Sequence, residues 1–249
     1  MKRDFQGLTA VVTGAGSGIG LATLKKLVEN GAKVFGLDVK PGECQNFAQW
    51  IECDIGDDDS VKNAFQELSR STSVIDILVN NAGIGAQGTV EEASSEEWLK
   101  VLNINIVGTS RVSASALPYL RKSAHASIVN TCSVVATFGF PKRSIYSASK
   151  GAVLSLTLSM ASDFLKENIR VNCVNPGTTD TPWIGRLLSQ TQNPAQEREA
   201  LEQRQPIGRL ISPDEVANAI IYLAHPDQKS TTGTVLAVDG GLHSLYVPK

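Results

Sequence analysis

Two residues in the middle of the chain, Tyr146 and Lys150, have side chains that could act together in proton transfer. They are four positions apart, so in a helix that follows Pro141 their Cβ atoms would lie about 5–6 Å apart on one face. An ammonium group beside a phenol favours the phenolate, which is the form that acts as a general base. Ser133 ends an apolar, β-like run before them, and its hydroxyl could hold a substrate oxygen. Alone this pattern is weak, because most such pairs are solvated neighbours on a helix.

A glycine-rich turn near the start of the chain could bind the phosphates of a dinucleotide. A strand-like run at residues 8–13 ends in this turn, and an amphipathic helix follows. Strand, turn and helix in this order present free N–H groups and the positive end of a helix dipole to a pyrophosphate. The spacing departs from Gly-x-Gly-x-x-Gly and fits Thr-Gly-x-x-x-Gly-x-Gly from Thr13 onward. The candidate contacts are Gly14, Ser17, Gly18, Ile19 and Gly20.

The acid after the second predicted strand, Asp38, bears on which dinucleotide would bind. Folds of this kind place a carboxylate here to accept hydrogen bonds from the adenosine ribose. A carboxylate would repel a 2′-phosphate, and neither Ser17 nor Val39 supplies a compensating positive charge, although Lys40 is close in sequence. We therefore predict NAD and not NADP. Asp54 and Ile55, after the third predicted strand, could meet the adenine amino group.

Composition excludes several other classes of protein. The chain has 249 residues, 42% of them hydrophobic, and strand-like and helix-like segments alternate throughout, which predicts one α/β domain. The formal net charge of −2 and the lack of a basic stripe argue against nucleic-acid binding. The sequence shows neither an apolar run long enough for a membrane span nor a signal-peptide pattern. Four scattered cysteines and three isolated histidines predict a cytoplasmic protein with no catalytic metal.

Taken together, the motifs resemble the short-chain dehydrogenase/reductase family over essentially the whole chain. They are the turn from Thr13 to Gly20, the run Asn80-Asn81-Ala82-Gly83 after an apolar strand, Ser133, and Tyr146-x-x-x-Lys150, in that order and spacing. The resemblance implies an α/β fold, a doubly wound seven-stranded parallel sheet (the Rossmann fold) with helices on both faces. It implies a single domain over residues 1–249, usually assembled as a homotetramer.

The resemblance also assigns roles to individual residues. It implies a catalytic group of Asn105, Ser133, Tyr146 and Lys150, in which the main chain of Asn105 holds a water in the proton relay. Asn103 is a competing candidate, and Cys132 departs from the serine that many members carry. Lys150 would also hold the nicotinamide ribose. The remaining cofactor contacts implied are Asn81, Ala82 and Gly83, and Pro176, Gly177 and Thr181 in a turn over the nicotinamide.

The sequence indicates less about the substrate than about the fold or the cofactor. Residues 182–206 correspond to the substrate lid of the family, and Arg143 lies three positions before the tyrosine. An arginine there could grip a carboxylate through a bidentate pair. Arg143, Arg186 and Arg204 are therefore candidate grips for a small hydroxy acid or sugar acid, and the chain is similar to members that oxidise 3-hydroxybutyrate or sugar acids. Each of the three could instead be an ordinary surface arginine, and Arg209 is expected to be structural.

Two other functions stay open. One is an NADPH-dependent 3-oxoacyl-carrier-protein reductase, which Asp38 and the lack of a basic residue at Ser17 disfavour. The other is a non-catalytic, dinucleotide-sensing protein on the same fold, which the complete catalytic group disfavours. The direction of the reaction and the role of the tail, residues 243–249, stay open as well.

Overall fold

Seven parallel strands form one sheet at the centre of the computed structural model, which describes residues 4–189 and 191–246. The strands are β1 (Thr9–Thr13), β2 (Lys33–Asp38), β3 (Gln49–Glu52), β4 (Ile77–Asn80), β5 (Ser127–Thr131), β6 (Arg170–Pro176) and β7 (Val235–Val238). Their order across the sheet is β3-β2-β1-β4-β5-β6-β7. The predicted seven-stranded, doubly wound parallel sheet is confirmed. Residues 247–249 of the tail lie outside the described residues.

Helices cover both faces of the sheet because its central strands are apolar on both sides. The helices are α1 (Gly18–Glu29), α2 (Asp58–Ser69), α3 (Ser95–Leu102), α4 (Thr109–Leu120), α5 (Ser144–Asp163), α6 (Pro182–Ser189), α7 (Pro194–Gln203) and α8 (Pro213–Ala224). Alternate residues of β1 point to opposite cores. Val11 packs in the core that includes residues of α2, α4 and α5. Ala10 and Val12 pack in the core that includes residues of α1 and α8.

Helix ends follow the local signals in the sequence. The Asp57 side chain caps α2 by accepting a hydrogen bond from Ser60 N. Ser212 and Glu215 form a capping box at the start of α8, with a proline in the first turn. Arg209 makes two hydrogen bonds of 2.7 and 2.8 Å to the Glu215 carboxylate, as expected of a structural residue. These contacts lower the pKa of Glu215 to about 2.

The strand order reverses between β1 and β4, and this reversal sets the place of a binding crevice. The connections from β1 and from β4 leave the sheet toward opposite sides, so a gap opens at their carboxyl ends. The glycine loop, defined here as residues 14–20, starts at the end of β1. The run from Asn81 to Gly83 starts at the end of β4, and Ser133 follows β5 closely. The topology therefore brings these distant motifs to one edge.

Two other kinds of feature are absent from the described residues. Within residues 4–189 and 191–246 there is no group of three or more His, Cys, Asp or Glu side chains arranged to hold a metal ion. None of the helices in the same part of the chain is long and apolar enough to cross a membrane. The four cysteines are buried and unpaired.

Candidate active site

A cleft of about 450 Å³ lies at the carboxyl edge of the sheet and brings most of the predicted site residues together. The predicted residues that line it are Gly14, Ser17, Gly18, Ile19, Asp38, Asn81, Ala82, Gly83, Ser133, Arg143, Tyr146, Lys150, Pro176, Gly177, Thr181, Arg186 and Arg204. Four predicted residues, Gly20, Asp54, Ile55 and Asn105, are not among its lining residues.

Thr13 and Asn81 hold the glycine loop against the segment after β4. The Thr13 hydroxyl accepts hydrogen bonds from the backbone N–H groups of Asn81 and Ala82, both at 3.0 Å. In return the Asn81 side chain donates to the carbonyls of Thr13 and Gly14, at 3.1 and 3.2 Å. These bonds explain why a threonine precedes the glycines and why an asparagine follows β4. They fix one wall of the cleft.

Two glycines of the loop are required by space. A Cβ atom on Gly14 would lie 2.9 Å from the Ala82 Cα, and Gly14 also has a positive φ of 64°. A Cβ atom on Gly20 would lie 2.1 Å from the Gly14 carbonyl oxygen. Gly20 therefore allows α1 to pack closely under the loop and does not itself face the cleft.

The first turn of α1 leaves its N–H groups available to an anion. The first helical hydrogen bond runs from Leu21 N to Ser17 O, and the Ser17 side chain makes no capping bond. The N–H groups before Leu21 thus have no partner within the helix, and they carry the positive end of the helix dipole. Asp38 stands nearby, where its carboxylate accepts from Gly16 N at 3.0 Å and from Lys40 N at 3.3 Å.

Lys150 is a buried cation without a carboxylate partner. Its side chain is 6% exposed, and Nζ donates a 2.8 Å hydrogen bond to the Thr131 carbonyl. Nζ also lies 5.8 Å from the centre of the Tyr146 ring, which confirms that α5 places the two side chains together. In the described part of the chain no carboxylate oxygen lies within 4.0 Å of Nζ. Its charge is therefore available to the phenol and to a ligand in the cleft.

Ser133 lines the cleft in a nearly buried position, 8% exposed. It caps a short 3-10 turn, Val134–Ala136, through a long hydrogen bond of 3.4 Å from Val135 N to its hydroxyl. The hydroxyl can therefore turn toward a ligand at little cost.

Asn105 lies behind the cleft in a π-helical segment, Asn103–Gly108, between α3 and α4. Its side chain is 1% exposed and makes three hydrogen bonds, with Ile84 N at 2.8 Å, Ile84 O at 2.9 Å and the Ser149 hydroxyl at 3.0 Å. The Ser149 hydroxyl in turn donates to the Tyr146 carbonyl at 2.8 Å. Asn105 therefore joins the loop after β4 to the helix that carries the tyrosine.

Asp54 and Ile55 follow β3 at the edge of the sheet, away from the cleft lining. The exposed Asp54 carboxylate accepts a 2.8 Å hydrogen bond from Gly56 N and so closes a turn. Ile55 is buried in the core beneath that turn.

The substrate end of the cleft carries three arginines, Arg143, Arg186 and Arg204, on three different segments. Among the described residues none of the three has a carboxylate oxygen within 4.0 Å. Burial, and next the charge of Arg204, lower the pKa of Arg143. The Arg204 guanidinium lies 5.6 Å from the centre of the Phe140 ring. The charge of Glu197 on α7 acts on Arg143 in the opposite sense, but these two described residues form no ion pair with each other. The structure thus gathers positive charge at this end.

Arg143 is held in place by its backbone. Gly88 N donates to the Lys142 carbonyl at 3.0 Å and Ser144 N donates to the Gly88 carbonyl at 3.3 Å, forming a bridge on either side of Arg143. Lys142 adopts a left-handed conformation with φ of 55°, which is uncommon for a residue with a side chain. This anchored turn starts α5.

Sequence reasoning missed the apolar lining of the substrate end. The unpredicted lining residues there include Val135, Phe140, Trp183, Leu187 and Leu201. The interpretation of residues 182–206 as a lid named only their arginines and not the apolar side of α6, where Ile184 and Leu188 are buried with Leu201 of α7. The spacing of four between Ile184 and Leu188 was the signal that could have revealed it.

The comparisons with known proteins agree with this geometry. Residues 14–243 match the family model described as "Enoyl-(Acyl carrier protein) reductase". The chain is 38% identical over 251 residues to the cis-4-hydroxycyclohexanecarboxylate dehydrogenase of Sinomonas cyclohexanicum, with 97% of this chain and 98% of that protein covered. It is 34% identical over 248 residues to the 3-oxoacyl-[acyl-carrier-protein] reductase FabG of Thermotoga maritima, with 96% and 98% covered.

A solved structure gives the same result for the fold. The ligand-free aldohexose dehydrogenase of Thermoplasma acidophilum superposes with a TM-score of 0.92 at 35% identity, and the alignment covers 100% of both chains. The family match, the sequence relatives and this structure show that the chain belongs to the short-chain dehydrogenase/reductase family of oxidoreductases.

Proposed function

We propose that the protein is an NAD-dependent dehydrogenase that interconverts a secondary alcohol and its ketone on a small substrate carrying a carboxylate. The observation that carries this proposal is the cluster of Ser133, Tyr146 and Lys150 in one cleft with the glycine loop. The lysine has no carboxylate partner among the described residues, so its charge is free to act on the tyrosine.

The cleft fits a dinucleotide by three features of the chain. The glycine loop leaves room where side chains would stand, and a Cβ atom on Gly18 would already lie 3.3 Å from Thr181 across the cleft. The first turn of α1 offers unpaired N–H groups to a pyrophosphate. Asp38 offers a carboxylate to ribose hydroxyls. Asp54 and Ile55 are proposed to meet the adenine from the end of β3.

The choice of NAD over NADP rests on Asp38. Backbone N–H groups of Gly16 and Lys40 hold its carboxylate in the cleft. In the described part of the chain the Lys40 ammonium makes no ion pair within 4.0 Å, so it does not neutralise this carboxylate. A 2′-phosphate would face that uncompensated negative charge.

The chain's own residues account for the proton transfer. Tyr146, as the phenolate, takes the proton of the alcohol hydroxyl, and the Ser133 hydroxyl donates a hydrogen bond to the same oxygen. NAD held by the glycine loop and Asp38 would supply the acceptor for the hydride of the carbinol carbon, so that the alcohol would leave as a ketone. Lys150 stabilises the phenolate by its charge. We propose that the main chain of Asn105 holds a water that returns the tyrosine proton to solvent.

The three cleft arginines support a carboxylate on the substrate. Among the described residues none of the three has a carboxylate oxygen within 4.0 Å, and a guanidinium matches a carboxylate in a bidentate pair. The relative from Sinomonas cyclohexanicum is named for a hydroxy acid, cis-4-hydroxycyclohexanecarboxylate. A structural neighbour with a TM-score of 0.90 and 25% identity is titled a putative gluconate dehydrogenase. We infer that α6 and α7, within residues 182–206, act as a lid over this substrate.

A second candidate is a 3-oxoacyl-[acyl-carrier-protein] reductase that uses NADPH. Two relatives, from Thermotoga maritima and Vibrio harveyi, carry that name at 34% and 32% identity. Asp38 disfavours it for the reason given above. A non-catalytic dinucleotide sensor is disfavoured because Asn105, Ser133, Tyr146 and Lys150 are all present.

We further infer a homotetramer in the cytoplasm. Large apolar side chains stand exposed on and beside the long α5, among them Leu158 at 47% and Leu165 at 58%, as expected of surfaces that pack against other subunits. The four unpaired cysteines fit a reducing compartment. Light scattering of the purified protein would test the assembly.

The test of the proposed function is NADH formation from a panel of hydroxy acids by the wild type, by Tyr146→Phe and by Tyr119→Phe. The control, Tyr119, lies on α4 outside the cleft lining. We expect turnover by the wild type and the control and a loss of at least about 100-fold in Tyr146→Phe. Equal rates for Tyr146→Phe and the wild type would refute the proposed mechanism.

A further inference from the structure

The substrate end of the cleft combines positive charge with apolar walls. Val135 and Phe140 come from the segment after β5, Trp183 from α6 and Leu201 from α7. Trp183 lies directly on the backbone of Gly85, where a Cβ atom would come within 2.5 Å of the indole Cζ2. This end of the cleft is therefore walled by apolar side chains from several parts of the fold.

Carboxylate and carboxamide groups, which bind the hydroxyls of sugars by accepting from them, are few in this lining. Among the described lining residues, the carboxylate and carboxamide side chains are those of Asp38 and Asn81. Both are engaged at the glycine loop, Asp38 with Gly16 N and Asn81 with the carbonyls of Thr13 and Gly14. A sugar would find serine, threonine and arginine side chains in the described part of this lining, but no carboxylate or carboxamide that is free of the glycine loop. Those of its hydroxyls that faced the apolar walls would lose hydration without gaining a hydrogen bond.

The charge at this end is arranged around an aromatic ring. Phe140 packs against Phe138 with ring centres 5.3 Å apart. The Arg204 guanidinium lies 5.6 Å from the centre of the Phe140 ring. Arg143, anchored by the bridge to Gly88, lies close enough to Arg204 for their like charges to repel, which contributes to the lowered pKa of Arg143. An anion between the two guanidiniums would relieve this repulsion.

We propose that the substrate is an apolar hydroxy acid, whose carboxylate lies between Arg143 and Arg204 and whose hydrocarbon part packs on Phe140 and Trp183. This inference rests on the proposed function and narrows it, because it excludes sugar acids and neutral alcohols as preferred substrates. Phe140 and Arg204 are then specificity-determining residues. Arg186 lines the same end of the cleft.

The test compares six-carbon compounds that differ in one property at a time. 3-Hydroxyhexanoate and 5-hydroxyhexanoate carry the acid and an apolar body, gluconate carries the acid and a hydroxylated body, and 2-hexanol carries the apolar body alone. With NAD, we expect kcat/KM for the better hydroxyhexanoate to exceed the values for gluconate and 2-hexanol by at least about tenfold.

Variants locate the determinants. We expect Arg143→Met and Arg204→Met each to lower the ratio of kcat/KM for hydroxyhexanoate to that for 2-hexanol by about tenfold or more. Arg70→Met, at the exposed end of α2, is the matched control and should leave this ratio unchanged. We expect Phe140→Ser to lower the ratio of kcat/KM for hydroxyhexanoate to that for gluconate.

A binding measurement separates this inference from the proposed function. Hexanoate, which cannot react, should raise the Tm of the wild type in the presence of NADH, and gluconate should raise it less. A kcat/KM for gluconate equal to that for hydroxyhexanoate would overturn the proposal that the substrate has an apolar body. A ratio of kcat/KM for hydroxyhexanoate to that for 2-hexanol that is unchanged in both arginine variants would overturn the proposal that these arginines bind the carboxylate. If NADH binds but no alcohol is oxidised, the rise in Tm still decides the inference: a larger rise with hexanoate than with gluconate supports it, and an equal or smaller rise overturns it. If NADH itself does not bind, the proposed function fails first.

Discussion

Replacing Lys150 with methionine tests the electrostatic core of the mechanism. Methionine keeps an unbranched side chain but removes the charge that lies 5.8 Å from the centre of the Tyr146 ring. The phenolate charge lies mainly on Oη and not at the ring centre, so a separation of about 6 Å sets only the scale of the interaction. With an effective dielectric constant of about 20, two unit charges about 6 Å apart interact by about 3 kcal/mol. Since each 1.36 kcal/mol corresponds to tenfold in rate, losing this stabilisation of the phenolate should lower kcat/KM by about 100-fold.

The assay is the oxidation of the best hydroxy acid at saturating NAD, measured over a range of pH. Saturation matters because Lys150 is also proposed to hold the nicotinamide ribose, so a loss of cofactor affinity must not be read as a loss of chemistry. NADH binding is measured separately by fluorescence. Lys100→Met is the control, since Lys100 is exposed on α3 outside the cleft lining.

Two outcomes would contradict this reasoning. If Lys150→Met loses less than about tenfold in kcat/KM while NADH binding is unchanged, the ammonium does not stabilise the phenolate as the geometry requires. If the loss is the same at every pH and appears wholly in cofactor affinity, Lys150 serves to bind the cofactor and the proton transfer needs another explanation.

Three further predictions concern the cofactor, the core and acid stability. Asp38→Asn should lower the preference for NAD over NADP by about tenfold to 100-fold, the worth of charge-assisted hydrogen bonds from the ribose, as measured by the two kcat/KM values. Ser113→Ala should destabilise the fold by about 1–3 kcal/mol in denaturant unfolding, because the buried Asn80 amide loses one of its two acceptors and keeps only Asn130 Oδ1. Ser115→Ala on the same helix, where the hydroxyl donates to the Arg111 carbonyl, should cost less than about 0.5 kcal/mol. The low pKa of Glu215 means that its contribution to stability is present above its ordinary pKa of 4.5 and is lost as the pH falls toward about 2. Arg209→Gln should therefore lower Tm above pH 4.5 but make the loss of Tm below that pH smaller, and an equal acid sensitivity in both proteins would count against it.

The parts of the site that follow from local sequence could be predicted well. The glycine loop depends on residues a few positions apart, and the space around Gly14 and Gly20 leaves no alternative to glycine. The pairing of Tyr146 with Lys150 depends only on the pitch of one helix. The strands were predicted within a few residues because parallel strands that are covered on both faces are continuous apolar runs.

Asn105 shows what its position in the sequence leaves undetermined. Its side chain is buried and bonds to Ile84 and Ser149, so the predicted role of its main chain stays a prediction, now placed in a π-helical segment. A π-helical segment differs from an α-helix by the register of its hydrogen bonds, which apolar periodicity does not report.

The substrate end could not be predicted because its walls come together only through tertiary packing. Phe140 follows β5, Trp183 lies on α6 and Leu201 lies on α7, and Arg198 fixes α7 by a two-pronged ion pair with Asp180, at 2.7 and 3.2 Å. The arginines were visible in the sequence, but whether they were surface residues or grips depended on what lay beside them. Both arginines line the cleft beside apolar side chains, and among the described residues neither has a carboxylate oxygen within 4.0 Å. Arg143 is partly buried, whereas Arg204 is exposed. Under the proposal made above, an incoming anion would meet both positive charges while its apolar body packed on the wall.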